Sequence, residues 1–311
     1  MKKIILQFLK KHSILYKMSG KNVIRGNVGI KCPLCHNDKS FHCNISLQTG
    51  YFFCWRNSSH RGTLQYLSLI LTGSGISVPV EINDNEFREL FNNRIEVKDN
   101  KLLSFNFPSL CEFKKHNVFT EYLVGRGFDD PKEVAMKYDI RYSLYNKWGW
   151  RLIFPISIYG RVVSYLGRSI QKYNYLPYME LSKEESIIPP KSCIYNFDNI
   201  FFNDSKHLIV TEGVFDAIKI DYYSPTNISA TCLFTKRLKS DDQLVLLSEV
   251  VDKFDDISIL LDADAMFESM ELAEVLRLLG KKINTLRLPT RFKDPGEMTE
   301  KDVKDFCKEI F

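Results

Sequence analysis

The chain has 311 residues, of which 44% are hydrophobic and 26% are charged, and it carries a formal net charge of +5. This length allows two or three small domains, and the composition is that of an ordinary soluble protein. No apolar run approaches the ~18 residues that span a bilayer, so the sequence predicts no membrane partner. The start, MKKIILQFLKKHS, is not followed by a small-residue cleavage site, which argues against a signal peptide.

Positive charge is concentrated in the first quarter of the chain. Residues 1–70 contain eleven lysines and arginines but a single acid, Asp38, so the remainder of the chain is net acidic. A basic segment of this kind predicts a polyanionic partner. A solvated, lysine-rich helix explains the charge equally well.

The eight cysteines favour a reducing compartment over a disulfide framework. Four of them are isolated in the sequence: Cys111, Cys193, Cys232 and Cys307. In a chain of this size without a signal peptide, we expect a cytoplasmic protein with free thiols and with some cysteines on a metal ion.

The other cysteines lie within CPLCHNDKSFHCNISLQTGYFFCWRNSSH, residues 32–60. Structural zinc takes four nitrogen or sulfur ligands. The spacing predicts these ligands: Cys32, Cys35, Cys54 and His60. His36, His42 and Cys43 are competing ligands, and a vestigial site without zinc is the alternative. Asn57 stands where a second Cys-x-x-Cys would place a ligand, and we expect its replacement to leave zinc binding unchanged.

The same segment carries groups suited to a single-stranded nucleic acid. Trp55 is a candidate for base stacking and Arg61 for a phosphate contact. Further candidates of the two kinds follow: Lys31, Lys39, Arg56, Phe41, Tyr51 and Phe53. Alternation along YFFCW places Tyr51, Phe53 and Trp55 on one face, and some of these aromatic rings must form the small core of the domain.

The domains are predicted in chain order. Residues 1–75 form a zinc-binding domain that starts with a helix and ends with the short helix TLQYLSLILTG, and residues 76–100 form a linker with one short helix. Residues 101–311 form a second domain, with a mixed lobe of strands and loops at 101–200, an α/β unit at 201–300 and a helix at 301–311. In the mixed lobe, RLIFPISIYGRVVSYLGRS predicts two strands joined at Tyr159-Gly160.

The α/β unit alternates buried-type strands with helices. KHLIVTEG, ISATCLF, ISILLDAD and INTLRLP are the predicted strands, and VFDAIKIDYY, SDDQLVLLSEVVDKF and FESMELAEVLRLLGKK are the helices between them. This order predicts a mostly parallel sheet covered on both faces. The fold class is therefore α/β, with a zinc ribbon and a mixed α+β lobe before the parallel-sheet domain.

Acidic residues follow three of these strands, at the edge where a parallel sheet holds its ligands. Glu212-Gly213-x-x-Asp216 follows the first strand, Asp262-Ala263-Asp264 the third and Lys293-Asp294-Pro295-Gly296-Glu297 the fourth. Converging carboxylates repel one another unless a divalent cation such as Mg²⁺ neutralises them. Alternation places Asp262 and Asp264 on the same side if the strand continues through them. Each motif alone is weak evidence, but the three in this order form a stronger signal.

This order of motifs is similar to that of a Toprim domain, the metal-binding fold of DnaG-type primases, type IA and II topoisomerases and some nucleases. RLIFPISIYGRVVSYLGRS resembles the primase segment R-x-x-F-P-I…G-R-V…G-R, and YLVGRG resembles the Y-L-x-x-R-G before it. With the zinc-ribbon-like start, residues 1–300 resemble a short, phage-encoded DnaG-type primase, for which the host cytoplasm is the expected location. HRGT after the cysteines matches the family's last zinc ligand before a glycine turn.

The resemblance implies an RNA polymerase domain at 101–311 that makes RNA primers from NTPs on single-stranded DNA, with a separate replicative helicase as a partner. It implies that two Mg²⁺ or Mn²⁺ ions are held by Glu212, Asp262 and Asp264. It gives supporting roles to Asp294 (as a further metal ligand), Asp216 and Lys293. It implies contacts with template or nucleotide phosphates by Arg126, Arg151, Arg161 and Arg168.

Two positions depart from the family pattern. Met266-Phe267 stands where Ala-Gly is common, and Phe234-Thr235 where Gly-Thr is usual. They keep open the alternative of a non-catalytic module that binds single-stranded DNA and loads another enzyme. A Toprim nuclease or topoisomerase-like strand breaker is a second alternative function.

Overall fold

The computed structural model describes residues 2–35, 37–47, 50, 52–57, 60–62, 64–72, 103, 105–110, 117–201, 203, 205–279 and 281–311. The predicted linker at 76–100 and its short helix lie outside the described residues, as do His36, Tyr51 and Cys111. Among the described residues, every helix is too short or too polar to cross a bilayer.

The secondary structure follows the predicted order. The helices are α1 (Lys2–Lys11), α2 (Leu64–Thr72), α3 (Val118–Gly125), α4 (Pro131–Lys137), α5 (Phe197–Phe201), α6 (Val214–Tyr223), α7 (Asp241–Val251), α8 (Met266–Arg277) and α9 (Glu300–Ile310). The strands are β1 (Tyr16–Lys17), β2 (Asn27–Ile30), β3 (Cys43–Ser46), β4 (Phe52–Cys54), β5 (Arg61–Gly62), β6 (Arg141–Ser143), β7 (Arg151–Ile158), β8 (Arg161–Ser169), β9 (Tyr178–Glu180), β10 (His207–Thr211), β11 (Ile228–Cys232), β12 (Asp256–Ile259) and β13 (Ile283–Thr285).

The N-terminal strands form an antiparallel sheet in the order β1-β2-β3-β4-β5. Helix α1 contributes Ile5, Phe8 and Leu9 to the core of this domain, because their i, i+3, i+4 spacing places them on one face of the helix. Lys10 and Lys11 lie on the exposed side. The sequence predicts β3 and β4 but not β1, β2 or β5, since strands this short are defined by their pairing partners and not by a local pattern.

A second antiparallel sheet has the order β6-β7-β8-β9. Its centre is the predicted hairpin of β7 and β8, joined by a two-residue turn at Tyr159 and Gly160. Both turn residues have positive φ angles, 51° and 79°, as a turn that matches the twist of a hairpin requires. The prediction of two strands joined at this turn is confirmed.

The α/β unit contains a parallel sheet in the order β11-β10-β12-β13, with α6, α7 and α8 between successive strands. Strands β10 and β11 are buried along almost their whole length, which explains their continuous apolar sequences. In a parallel sheet the carboxyl ends of the strands lie at one edge, so the loops carrying the acidic motifs meet there. The predicted parallel sheet is confirmed.

The mixed lobe and the α/β unit share one hydrophobic core. Phe154 of β7 packs edge-on against Phe215 of α6, with ring centres 5.3 Å apart. Phe128, which follows α3, stacks on Tyr223 of α6 with ring centres 6.2 Å apart. This packing fixes the hairpin and α3 against the parallel sheet, so residues of both lobes can contribute to one site.

Candidate functional site

The four predicted zinc ligands come together in the N-terminal domain. The ligand atoms of Cys32, Cys35, Cys54 and His60 all lie within 4.8 Å of one another. Nδ1 of His60 is 3.3 Å from the Cys35 sulfur and 3.6 Å from the Cys32 sulfur, and the Cys35 and Cys54 sulfurs are 3.7 Å apart. Ligands at zinc bonding distance occupy tetrahedron corners about 3.6 Å apart. The cluster therefore fits a zinc ion.

A buried carboxylate shapes the loop that carries the first two ligands. Asp38 accepts hydrogen bonds from the backbone N–H groups of Cys32 (2.7 Å), Ser40 (2.9 Å) and His42 (3.1 Å). Although burial opposes ionisation, these hydrogen bonds lower the pKa of Asp38. Nδ1 of His42 lies 2.6 Å from the same carboxylate, so this competing ligand is engaged with Asp38.

Cys43, another competing ligand, acts as a neighbour of the cluster. It is fully buried on β3, and a hydrogen bond with Cys32, together with burial, raises its pKa well above that of a free thiol. The same bond lowers the pKa of Cys32 to about 4. Cys43 is therefore suited to remain a protonated donor beside a Cys32 thiolate.

Asn57 has a contact that the sequence does not predict. Its side-chain Nδ2 lies 3.1 Å from Nε2 of His60. When Nδ1 of a histidine binds a metal, Nε2 carries the proton and donates, so the Asn57 amide would turn its oxygen towards it. Such partners hold the ring of a metal-binding histidine in place. We therefore expect Asn57 to strengthen zinc binding, although the sequence alone predicts that it has no role there.

The candidate nucleic-acid contacts of this domain lie beside the cluster. The Trp55 side chain is exposed, packs edge-on against Phe53 at 5.3 Å and donates from Nε1 to the Asn22 carbonyl at 3.0 Å. These contacts hold one face of the indole at the surface. Arg61 belongs to β5, but its side chain lies outside the described residues.

The predicted carboxylates of the α/β unit meet at the carboxyl edge of the sheet. Glu212 follows β10, Asp262 follows β12, and Asp294 lies in the segment after β13. Each has one buried oxygen without a hydrogen-bond partner among the described residues: Glu212 Oε2, Asp262 Oδ1 and Asp294 Oδ1. Buried carboxylate oxygens need a proton donor or a cation. This donor set fits a hard divalent metal ion.

The carboxylates affect one another's ionisation. Burial, followed by repulsion from Asp262, raises the pKa of Glu212 to about 7. Burial and then Asp294 raise the pKa of Asp262 to about 6. Asp216 is almost fully buried, and burial, Asp294 and Asp262 raise its pKa to about 8. Negative charge is therefore costly at this edge unless a cation neutralises it.

Asp216 and Lys293 support the site through the backbone. Asp216 accepts hydrogen bonds from Gly213 N at 2.8 Å and from Gly296 N at 2.9 Å, and so ties the loop after β10 to the loop after β13. A Cβ atom on Gly296 would lie 2.9 Å from the Asp216 carboxylate, so a glycine is needed there. The Lys293 carbonyl accepts from Ala263 N at 3.0 Å, which joins the Asp294 loop to the Asp262 loop.

Asp264 is placed differently from the other predicted ligands. Strand β12 ends at Ile259, and Ala265 N donates to the Asp262 carbonyl in a turn, so strand alternation does not reach the two aspartates. The Asp264 side chain is 77% exposed and accepts a 2.6 Å hydrogen bond from Lys236 Nζ. Sequence reasoning missed Lys236, although it lies next to the Phe234-Thr235 departure.

Arg126 lies beside the carboxylates and is held there by a buried lysine. Its guanidinium stands 4.6 Å above the Phe215 ring and next to Gly296. Lys219 of α6, whose burial lowers its pKa to about 8, donates to the carbonyls of Arg126 (2.6 Å) and Gly127 (2.9 Å). A lysine within the apolar pattern of VFDAIKIDYY was the sequence signal for this buried contact.

Arg151 binds backbone carbonyls and supports a loop. It is buried, and its guanidinium donates to the carbonyls of Leu176 (2.8 Å) and Pro177 (3.1 Å), so in this conformation it does not present its charge to a phosphate. These bonds fix the loop between β8 and β9. The loop carries Tyr173 and Tyr175, which are 90% and 96% exposed and were not predicted as site residues.

The remaining arginines lie at opposite ends of β8. Arg168 pairs with Leu152 and Arg161 with Ile158, so the strand separates them by about 20 Å. Arg168 donates from Nε to the Tyr122 hydroxyl at 3.1 Å and lies 4.6 Å above the Tyr178 ring. The charges of Arg126, Arg168 and Asp216 all act on Tyr178, so Arg168 lies on the side of the carboxylates. Arg161, at the other end of β8, lies away from them.

Solved primase structures have a fold similar to that of this chain, over the whole chain or over part of it. The zinc-binding and RNA polymerase domains of the Aquifex aeolicus primase match 99% of this chain and 81% of their own length, with a TM-score of 0.55 and 17% identity. A DnaG primase catalytic domain bound to single-stranded DNA matches 65% of this chain and 73% of its own, at 0.53 and 17%. A DNA primase domain from Pseudomonas aeruginosa matches 65% and 74%, at 0.51 and 18%.

This chain has the fold of the DnaG primase zinc-binding and catalytic core domains. The predicted fold class is confirmed, including the N-terminal sheet with its cysteine-rich site and the parallel sheet of the α/β unit. Neither a protein-family model nor a curated protein matches the chain significantly.

The zinc cluster predicts three different zinc affinities for the variants His60→Ala, Asn57→Ala and His12→Ala. We expect His60→Ala to lose its zinc during dialysis against a chelator, because a ligand is removed. Asn57→Ala should bind zinc about tenfold more weakly than the unaltered protein, because the histidine ring loses its partner. His12→Ala, which removes an exposed histidine of the same domain, should bind zinc normally. Zinc content by atomic absorption and affinity by chelator competition measure this order; equal affinity in all three variants would contradict it.

The raised pKa values predict how pH affects the stability of zinc-loaded protein without added divalent metal. Folded Glu212 and Asp262 keep their protons to about pH 7 and 6, whereas in the unfolded chain they lose them near pH 4. Their contribution to stability is therefore present below pH 4 and is lost as the pH rises through 6 to 7. Between pH 5 and 7.5 we expect the melting temperature to fall.

The control is the double variant Glu212→Gln/Asp262→Asn, in which the fall should be smaller because two titrating groups are gone. Saturating Mn²⁺ should also reduce the fall in the unaltered protein. Differential scanning calorimetry measures both effects. The same pH dependence in the double variant would mean that the pKa values of Glu212 and Asp262 are not raised as described.

Proposed function

We propose that this chain is a DNA primase that synthesises short RNA primers on a single-stranded DNA template. The proposal is carried by the carboxylates at the edge of the parallel sheet, whose buried oxygens have no hydrogen-bond partner among the described residues, beside Arg126 and Arg168. Nucleotidyl transfer needs this combination, because a metal site and fixed cations must act on the same triphosphate. The shared fold with primases, one of them bound to single-stranded DNA, supports the same function.

Glu212, Asp262 and Asp294 are the carboxylates that would hold Mg²⁺ or Mn²⁺, with Asp264 at the exposed side of the site. Bound there, the divalent metal would activate the primer 3′-hydroxyl and stabilise the charge of the departing pyrophosphate. Arg126 and Arg168 would orient the triphosphate, since the guanidinium group binds phosphate in a bidentate manner. Asp216 would keep the loops that carry Glu212 and Asp294 in register through its two backbone hydrogen bonds.

The N-terminal domain would bind the template. A zinc ion on the Cys32, Cys35, Cys54 and His60 cluster would fix the loops that flank Trp55. The exposed indole provides a surface for an unpaired base, and the positive charge of residues 1–70 suits the phosphate backbone. The exposed Tyr173 and Tyr175 would provide further aromatic surfaces for unpaired bases.

Primer synthesis on a library of single-stranded DNA templates with labelled NTPs and Mn²⁺ tests the proposal. We expect the unaltered chain to make oligoribonucleotides and Asp262→Ala to make them at least about 100-fold more slowly, because a metal ligand is lost. Asp256→Ala is the matched control: it removes an aspartate at the other end of β12, where Asp256 pairs with His207 and Lys282, and should leave the rate unchanged.

The same proteins distinguish the alternatives. Nicking of a supercoiled plasmid without primer synthesis would favour a strand breaker. Tight, salt-dependent binding of single-stranded DNA with neither activity would favour a loading module. Primer synthesis by Asp262→Ala at the rate of the unaltered chain would refute the assignment of the carboxylates.

A further inference from the structure

The loop between β11 and α7 is fixed at both ends by a buried glutamine. Gln243 of α7 donates from Nε2 to the carbonyls of Leu233 and Cys193, both at 2.9 Å, and its Oε1 accepts from Lys239 N at 3.1 Å. Gln243 is fully buried. The backbone on either side of residues 234–238 is therefore held in place, and these residues have a defined position.

The turn inside this loop directs a lysine towards the carboxylates. Phe234 has a φ of 60°, in the left-handed region that favours glycine, and its ring packs edge-on against Tyr195 at 6.3 Å. The aromatic contact holds the residue in a conformation that its side chain disfavours. Next to it, Arg237 pairs with Glu271 (3.0 Å) and approaches Glu268 (4.0 Å) on α8, which fastens the loop to the helix after Asp264.

Lys236 lies between these two anchors and supplies a positive charge to the site. Its Nζ is 2.6 Å from Asp264 Oδ1, while its charge also acts on Glu212 and Asp262. Among these four carboxylates, Glu212, Asp262 and Asp294 each have a buried oxygen without a hydrogen-bond partner in the described part of the chain, whereas Asp264 does not. One predicted metal ligand is thus already neutralised by the chain itself, and the other three are not.

We propose that Lys236 takes the place of a second divalent cation at this site, so that it neutralises Asp264 and leaves a single metal ion for Glu212, Asp262 and Asp294. The role of this arrangement in catalysis rests on the proposed function, but the number of metal ions does not. An ammonium on a fixed loop provides one permanent positive charge where a second metal would provide two. It also repels a further cation from the Asp264 side.

Counting bound Mn²⁺ tests the proposal. The zinc-loaded 311-residue chain is titrated with Mn²⁺ at pH 7.5 without DNA or nucleotides, and free Mn²⁺ is measured by electron paramagnetic resonance. We expect one Mn²⁺ per chain for the unaltered protein and for Lys236→Arg, which keeps the charge. Lys236→Ala should bind a second Mn²⁺, or bind the first about tenfold or more tightly, because the competing charge is gone.

Two further variants control the measurement. Lys308→Ala removes an exposed lysine that pairs with Asp305 on α9, away from the site, and should bind Mn²⁺ like the unaltered chain. Glu212→Gln/Asp262→Asn should bind none, which assigns the ion to the carboxylates. Zinc content and circular dichroism check that each variant is folded.

The proposal is overturned if the unaltered chain binds two Mn²⁺, if Lys236→Ala matches it in number and affinity, or if neither protein binds Mn²⁺. A chain that makes no primers can still give the expected count, so failure of the proposed function and failure of this inference are distinguishable.

Discussion

The burial of neighbouring carboxylates at one edge of a parallel sheet is the constraint on which the rest of the site depends. Glu212, Asp262 and Asp294 arrive there because buried parallel strands end at the same edge. Burial and mutual repulsion raise the pKa values of Glu212 and Asp262, so the ionised form of each carboxylate is less stable here than in water. The structure therefore favours the binding of a cation, and this requirement links the fold to its proposed chemistry.

Besides Lys236, which pairs with Asp264, the basic side chains described above are of two kinds. Lys219 and Arg151 are buried and donate to backbone carbonyls, so their role is to fix the turns that carry other groups. Arg126 and Arg168 stand over aromatic rings, which limits their motion while leaving hydrogen-bonding groups for a ligand. Under the proposed function, these two guanidinium groups would bind nucleotide phosphates, each supported by an aromatic ring.

The sequence predicted the parts of the site that depend on local pattern. Glu212 and Asp262 follow continuous apolar strands, and Cys32, Cys35, Cys54 and His60 have zinc-like spacing, so both groups could be located before the fold was known. Burial of Arg151 could not be predicted, because it depends on carbonyls 25 and 26 residues away. The contact of Lys236 was missed for the same reason, because Asp264 is 28 residues away. The contact between Asn57 and His60 spans only three residues, but it depends on the loop conformation, which the ligand spacing does not reveal.

Anomalous diffraction from crystals of the zinc-loaded chain soaked in Mn²⁺ tests the central claim most directly. Data collected on both sides of the manganese absorption edge distinguish Mn²⁺ from zinc. We predict a manganese peak bounded by the carboxylates of Glu212, Asp262 and Asp294. Manganese bound only elsewhere, with these carboxylates unoccupied at saturating Mn²⁺, would contradict the claim that their convergence forms a metal site.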